Sequence, residues 1–439
     1  MTDKLPEKRK INPSALRAYD IRGEVGDKLQ IDDAYYIGKA FATRIIEKSQ
    51  KDNPVIAVGY DGRLTSEDIQ QQLCKGIIST GADVHRVGLG PSPMLYYAVR
   101  SGNLDGGVMV TGSHNPPKHN GFKMMFNKHP LFGDEIQILG GICEKGEFVN
   151  SQKHGVIHDI EIKDKYIDRM LENFAPKSGK SEGQSQYKAA ADFFSKMKIA
   201  WDPGNGAAGR ITELLCQRLT NQNILLNSKI DGNFPNHHPD PTVAENLEQL
   251  IETVKSENCD LGIAFDGDGD RIGAVDGNGT IIWGDQMMTI FAKDVLQKNK
   301  GATIIADVKA SKVFFEEVEK MGGEPLMWKT GHSFIKNKLA ETGAPLAGEM
   351  SGHIFFADEY YGFDDAIYAA IRLINYFCKN QVIPKDEVAK FPNTYASQEY
   401  RIAVKEEDKL RIVDEVKEKV LNSDVQVNQI DGIRVDENQ

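Results

Sequence analysis

The chain has 439 residues, too many for one hydrophobic core, so several domains are expected. Hydrophobic residues at 40% and charged residues at 27% describe an ordinary globular chain and exclude wholesale disorder. Its 53 Lys and Arg against 64 Asp and Glu leave a net charge of −11, which disfavours nucleic acid as a partner, since phosphate backbones are gripped by clustered cations.

The opening MTDKLPEKRK is too polar for a signal-peptide core. Further in, one arrangement recurs: a short apolar run, an Asp- or Gly-rich turn, then apolar residues at helical spacing. It starts at Val55 (VIAVGYDGR), Lys198 (KIAWDPGNGAAGR), Leu261 (LGIAFDGDGDR) and Thr303 (TIIADVKASK). Each run predicts a strand buried on both faces, and residues 67–79 and 311–321 predict helices that follow. Strands alternating with helices imply mostly parallel α/β sheets, and the wide spacing implies repeated α/β units rather than one large sheet. The Gly/Ser/Lys-rich stretch 173–183 (NFAPKSGKSEG) predicts a surface loop in the second unit. The longest apolar run, residues 366–377, is too short to span a bilayer and holds Arg372, so no membrane partner is expected. A break near residues 391–396 precedes the charge-rich segment 404–420, which reads as an amphipathic surface helix. The five cysteines (74, 143, 216, 259 and 378) form no CxxC pair and fit small buried hydrophobes in a reducing cytoplasm.

In open α/β sheets ligands bind beyond the carboxyl ends of strands, and four such loops carry chemistry. In Thr111-Gly112-Ser113-His114-Asn115-Pro116-Pro117 a hydroxyl stands beside His114, Lys118, His119 and Lys123, on a loop that two prolines stiffen. Cations around a hydroxyl suit a group that takes and gives a phosphoryl. A lone serine in such a turn more often only caps the backbone. The second loop follows LGIAF: Asp266-Gly267-Asp268-Gly269-Asp270-Arg271. Alternate residues of an extended segment face one way, so three carboxylates are expected to converge, and all-oxygen ligation selects a hard cation, Mg²⁺ or Ca²⁺. A solvated acidic turn is the plainer alternative. The third, Gly348-Glu349-Met350-Ser351-Gly352-His353, groups donors and acceptors suited to sugar hydroxyls, with Thr330-Gly331-His332-Ser333, Lys309 and Ser311 upstream. Alone it is a weak signal. The fourth, Gly204-Asn205-Gly206-Ala207-Ala208-Gly209, matches G-x-G-x-x-G, with Asp231 where a ribose-binding acid should stand. It supports a rival of a different class, a dinucleotide-dependent oxidoreductase, which leaves the Ser113 loop and the Asp triplet unexplained. A metal-dependent phosphatase is a third reading, and a non-enzymatic binding module the weakest, given so many ionisable groups.

TGSHNPPKHNGFK, DGDGDR and GEMSGH, in that order, resemble the α-D-phosphohexomutases, most closely their bacterial phosphomannomutase/phosphoglucomutase branch. Arg17-Ala18-Tyr19-Asp20-Ile21-Arg22-Gly23, Asn236-His237-His238-Pro239-Asp240-Pro241 and Gly362-Phe363-Asp364-Asp365 extend the likeness over nearly the whole chain. The resemblance implies four domains around one deep cleft: three related α/β/α domains (1–158, 159–279, 280–390) and a smaller fourth (391–439). It implies Ser113 as a phosphoserine and Asp266, Asp268 and Asp270, with Ser113, as the Mg²⁺ site. Arg22, Lys123 and Arg271 would surround the transferring phosphoryl. Tyr19, Lys309, His332, Glu349, Ser351 and His353 would bind substrate. The implied reaction moves a phosphoryl between C1 and C6 of mannose or glucose phosphates through a hexose 1,6-bisphosphate, in a cytoplasmic monomer or dimer. Its general base stays open between Lys123 and His114. Methionine in GEMSGH, where a glutamine would offer amide donors and an acceptor, favours hexose phosphates over the alternative, a phosphoglucosamine mutase. The resemblance also implies an Arg-x-Ser-x-Thr-type loop in the fourth domain, gripping the phosphate that is not transferred. None of Arg401, Arg411 or Arg434 sits in that pattern, so the fourth domain is expected to be truncated and activity reduced.

Overall fold

The four apolar runs form the strands Val55–Tyr60, Lys198–Asp202, Leu261–Phe265 and Thr303–Asp307, each leading through a turn toward a helix or hairpin. They are seen in a computed structural model that describes residues 6–177, 184–392, 402–405, 408–422 and 425–436. The predicted helices after the first and last run are Ser66–Ile78 and Lys312–Lys320.

Three sheets share one plan. In the first, Val55–Tyr60 lies parallel to Asp83–Leu89 on one side and to Gly106–Val110 on the other. Gly106–Val110 then turns back antiparallel into His119–Phe126. In the second, Lys198–Asp202 pairs parallel with Gln222–Leu225 and Leu261–Phe265, which returns antiparallel as Ile272–Asp276. In the third, Thr303–Asp307 pairs parallel with Glu324–Trp328 and Leu346–Gly348, which returns antiparallel as Ile354–Phe356. The Ser113 loop, the Asp loop and the Glu349 loop are thus the same hairpin bend in three successive sheets. Each lies at the carboxyl end of a central strand, where α/β sheets place ligands.

Helices cover both faces of the sheets. Trp201, Phe265 and Phe291 are fully buried in a core running through all three units, and Phe41 and Ile56 lie in a second core within the first. The helix Ala366–Asn380 is buried along nearly its whole length, and Arg372 within it is neutralised by Asp358 at 2.9 Å and Asp294 at 3.0 Å. No helix among the described residues is long and apolar enough to cross a membrane. Cys74, Cys143, Cys259 and Cys378 are buried and Cys216 half-buried, and burial pushes the thiols of Cys74, Cys143, Cys216 and Cys378 up to about 12.

Two expectations shift and a third is described only in part. The charge-rich helix runs Lys409–Leu421, starting later than expected, and is followed by a small hairpin of Gln426–Asn428 with Arg434–Asp436. The break near 391–396 is described only to Pro392, and its remainder lies outside the described residues. The stretch 173–183 is not all surface loop. Residues 178–183 lie outside the described residues, but Phe174 is fully buried, edge-on to Phe194 with ring centroids 5.1 Å apart. The amide of Ala175 donates to Asn375 Oδ1 at 2.9 Å. Phe174 at the start of a polar stretch outweighs its composition, because burying so large a side chain gains on the order of 2 kcal/mol. Phe174→Ala is therefore expected to cost about 3–5 kcal/mol in urea denaturation followed by circular dichroism. A loss under about 1 kcal/mol would return this stretch to the surface.

Candidate active site

Ser113 stands at the bend between Gly106–Val110 and His119–Phe126 with φ +50°, a left-handed conformation that costs a non-glycine residue energy. What holds it there is Arg63, whose side chain has no exposed surface. Its guanidinium donates to four carbonyls of the loop: Ser113 and Asn115 at 2.6 Å, Pro116 at 2.7 Å and His119 at 2.9 Å. Its Nε donates to Asp61 Oδ2 at 3.2 Å, and Asp61 also accepts from the Gly112 amide at 3.1 Å. The stiffness expected from Pro116 and Pro117, which are exposed, comes instead from this buried pair. Ser113 Oγ lies 3.1 Å from His114 Nδ1 and donates to Asp266 Oδ2 at 3.1 Å. Burial, and then Arg271, Arg22 and Lys123, hold the His114 pKa far below its usual value, so this imidazole is neutral. The carbonyl of His114 is contacted by His238 Nε2 from the second unit. Lys118 is exposed, and His119 pairs with Glu24 in the sheet, so neither joins the site.

The three aspartates converge, but through a turn and not through the pleat of a strand. Gly269 takes φ +73°, and Asp266 Oδ1 accepts the amides of Asp270 and Arg271, both at 3.1 Å. The tight bend, closed on its own first carboxylate, brings oxygens of Asp266, Asp268 and Asp270 within 4.8 Å of one another. All three are buried. Lys123 Nζ reaches Asp268 Oδ2 at 2.7 Å and also bonds Asp270 Oδ2, while Ser92 donates to Asp268. Burial would strip the lysine of its proton, but Asp268 and Asp270 hold its pKa well above the usual value. Burial, Asp270 and Asp268 push Asp266 well above the carboxylate range. Asp268 Oδ1 and Asp270 Oδ1 are buried without a hydrogen-bond partner. Asp268 Oδ1, without a partner, and Asp270 Oδ1, met only by a His353 ion-pair contact at 3.3 Å, lie beside a third carboxylate and fit a hard divalent cation.

The third bend meets the second through His353. Its Nδ1 lies 2.8 Å from Glu349 Oε2, and its Nε2 lies 3.3 Å from Asp270 Oδ1, an ion-pair contact. Burial opposes charge here, yet Asp270 and Glu349 outweigh it, and the pKa is raised to about 9. Arg271 Nε approaches the same Nε2 at 3.3 Å, a contact between cations that these carboxylates must compensate. Ser351 Oγ is 3.1 Å from His353 Nδ1, and Glu349 also accepts the amide of Gly331. His332 stacks on His353 with centroids 5.5 Å apart and lies 3.2 Å from Asp364, which Lys336 pairs at 2.9 Å. Asp307, at the end of its strand, accepts the amide of Met350 at 3.0 Å and the hydroxyl of Thr330 at 3.1 Å.

Ser113, His114, Lys123, the three aspartates, Arg271, Glu349, Ser351, His332 and His353 thus form one connected network. Arg22 contacts Asp20, its Nε has no partner, and it is close enough to His114 to depress that pKa. Tyr19 donates to the Thr330 carbonyl at 3.3 Å. Lys309 is exposed, and Arg434 bonds the carbonyls on either side of it, Val308 at 2.8 Å and Ala310 at 2.7 Å. Arg411 pairs with Asp408 and Glu415 on its own helix, and Arg401 lies outside the described residues. The G-x-G-x-x-G turn packs against protein: a Cβ on Gly206 would stand 2.9 Å from the Gly267 carbonyl, so the Asp loop fills the place of a pyrophosphate. Sequence reasoning missed Arg63, Asp61, Ser92 and Lys336, and passed over the contacts of His238 and Asp364. Asp61-Gly62-Arg63 was visible only as a turn after a strand.

Three family descriptions match in order. They are phosphoglucomutase/phosphomannomutase alpha/beta/alpha domain I over residues 14–149, domain II over 164–279 and domain III over 283–395. A phosphomannomutase/phosphoglucomutase of Pseudomonas aeruginosa is 42% identical over 423 residues, 96% of this chain and 87% of that protein. A phosphoglucomutase of Neisseria gonorrhoeae is 39% identical over 428 residues, 97% of this chain and 88% of that one. A crystal structure of a phosphoglucomutase/phosphomannomutase family protein from Burkholderia thailandensis superposes with a TM-score of 0.85 at 38% identity, covering 96% of this chain and 88% of that chain. With this identity sustained along nearly its whole length, the chain belongs to the phosphoglucomutase/phosphomannomutase family.

Proposed function

We propose that the protein is a phosphohexomutase, an isomerase that moves a phosphoryl between C1 and C6 of mannose and glucose phosphates with Ser113 as carrier. The observation that carries this reading is one hydroxyl, on a clamped left-handed residue, 3.1 Å from a buried three-aspartate turn and 3.1 Å from a neutral imidazole. A phosphoryl on Ser113 Oγ would face the Asp turn together with its cations Lys123 and Arg271. Asp266, Asp268 and Asp270, with the phosphoserine, would hold Mg²⁺. When bound, Mg²⁺ neutralises charge on the transferring group and supports the departing serine oxygen.

The free hydroxyl of a hexose 1- or 6-phosphate attacks phosphorus. The bond from phosphorus to Ser113 Oγ breaks as a bond to the sugar oxygen forms, giving a 1,6-bisphosphate. The attacking hydroxyl releases a proton and the serine takes one up. The proton that the hydroxyl gives up matches the one that the serine takes; His114, held neutral 3.1 Å from Oγ, orients that oxygen, while Lys123, kept protonated by Asp268 and Asp270, acts as a fixed cation. The bisphosphate turns end over end and returns its other phosphoryl to Ser113 by the reverse step. Water is a competing acceptor throughout, which favours a closed cleft. Glu349, Ser351 and His353 meet the sugar hydroxyls, and Tyr19, Arg22, His332 and Lys309 lie around them.

Ser113→Ala should fold normally and lose turnover. Intact mass after incubation with hexose 1,6-bisphosphate should show one added phosphoryl on the wild type and none on the variant. Equal labelling would place the carrier elsewhere. Asp268→Asn removes one anionic ligand and should weaken Mg²⁺ about tenfold or more in a calorimetric titration; unchanged affinity would rule the Asp turn out as the metal site. Because the sugar must be accepted in two orientations, no single hydroxyl can be read strictly. Coupled assays should find both mannose and glucose phosphates turned over, and a preference beyond about a thousandfold would reject dual specificity.

A further inference from the structure

The reading of Ser113 as carrier leaves unexplained how a residue with φ +50° keeps its hydroxyl on target through two transfers in opposite directions. The loop has little to hold it from within. Ser113 N donates to Thr111 Oγ1 at 2.8 Å, and Asn115 Nδ2 donates to the Gly112 carbonyl at 3.0 Å. Short backbone bonds within the bend and the His238 contact to the His114 carbonyl add to these, but four of the loop's carbonyls and the Gly112 amide are held from the turn after the neighbouring parallel strand, Asp61-Gly62-Arg63.

We propose that Asp61 and Arg63 are positioning residues for phosphoryl transfer, a buried clamp that fixes the backbone of Ser113 so that Oγ stays aimed at Asp266. The clamp uses each guanidinium nitrogen: two donate to two carbonyls apiece and Nε to Asp61. The four carbonyls accepting from one planar group leave the peptide at Ser113 a single orientation. Asp61 closes the device by accepting both Arg63 Nε and the Gly112 amide, and Ser66 donates to its other oxygen. No larger residue fits at Gly112, where a Cβ would stand 2.4 Å from the Arg63 guanidinium carbon. The second unit covers the clamp, with the ring of Phe234 5.3 Å from that carbon.

An independent observation supports the assignment. The third sheet repeats the arrangement around its own functional bend: Asp307, at the end of the parallel neighbour strand, accepts the amide of Met350. Gly112 and Met350 are each the second residue after their central strands, Gly106–Val110 and Leu346–Gly348. The same acid at the same place holds the same amide in two units. In the second unit Asp202 instead accepts the Gly204 amide at 2.9 Å and pairs with His237, and the Asp loop there is braced by its own Asp266. The acid-to-amide bond is thus shared by the first and third units, while the arginine that grips the loop carbonyls is seen at the Ser113 bend.

This proposal rests on Ser113 being the carrier, and the test separates the two. Arg63→Lys keeps the charge but loses the fork that spans four carbonyls. Per folded molecule, kcat should fall about a hundredfold while KM for hexose 1-phosphate changes less than about threefold. A second readout is the partition of the phosphorylated enzyme between sugar and water. It is measured as mutase product against inorganic phosphate released from hexose 1,6-bisphosphate. Misaligned phosphoserine should shift this ratio toward water by about tenfold. A role in stability alone would lower the amount of active protein and leave both KM and the ratio as they are. Wild-type kcat per folded molecule, or an unchanged ratio, overturns the proposal. If Arg63→Lys does not fold, Asp61→Asn, which keeps the shape and loses the charge, decides by the same two measurements. Labelling of Ser113→Ala in the otherwise wild-type chain judges the carrier itself: labelling there sinks the proposed function, whereas no labelling there with a wild-type Arg63→Lys sinks the clamp alone.

Discussion

Asp266, Asp268 and Asp270 are buried with oxygens within 4.8 Å of one another, so the centre of the molecule is governed by what compensates them. Taking carboxylates out of water is expensive unless cations and hydrogen bonds replace the solvent. No single unit supplies the compensation. Lys123 comes from the first sheet, Arg271 from the Asp loop itself and His353 from the third. Backbone contact between units is correspondingly close. A Cβ on Gly267 would stand 2.4 Å from the Ser113 carbonyl, and the amide of Ile272 donates to the Gly352 carbonyl at 3.0 Å. The site is therefore a property of three docked units and of none alone.

One hairpin used three times explains how so small a part of each unit suffices. The bend at the end of each central strand carries a hydroxyl in the first sheet, carboxylates in the second and a glutamate, serine and histidine in the third. The scaffold beneath is the same: a central strand, a parallel neighbour and an antiparallel return. Chemistry has diverged in the loop while the strands that aim it have kept their pairing, which is how α/β sheets generally separate support from function.

Strands and helices were legible in the sequence because periodicity is a local signal. VIAVGY, KIAWD, LGIAF and TIIAD needed no knowledge of their neighbours to be placed. The three bends were legible as motifs, since hydroxyls, carboxylates and glycines concentrate there. What could not be read depends on contacts remote along the chain. Arg63 is 50 residues from the Ser113 carbonyl it holds, and Ser92 is 176 residues from Asp268. Phe174 sits in a stretch whose composition is polar, and packing against residues outside that stretch, Phe194 among them, makes it core. The Asp loop shows a subtler gap. Convergence of its carboxylates was foreseen, but from the pleat of a strand, whereas a left-handed glycine and a self-closing carboxylate produce it.

The same limit applies to protonation, where His114 and Lys123 part company. By residue type, histidine is the group that titrates near neutrality and lysine the one that stays charged, and burial pushes both toward neutrality. The neighbours then divide them. Around His114 the nearest charges are Arg271, Arg22 and Lys123, which add to burial and keep the imidazole neutral. Around Lys123 they are Asp268 and Asp270, which overcome burial and keep the ammonium charged. In the proposed reaction this division leaves a fixed cation on the carboxylate side of the serine and a neutral imidazole beside its oxygen. A lysine base would require the same ammonium to lose its proton while bonded to two buried carboxylates, leaving both without that compensation. The carboxylates that would hold the metal thus also keep one neighbour of Ser113 charged, and that cation in turn helps to keep the other neutral.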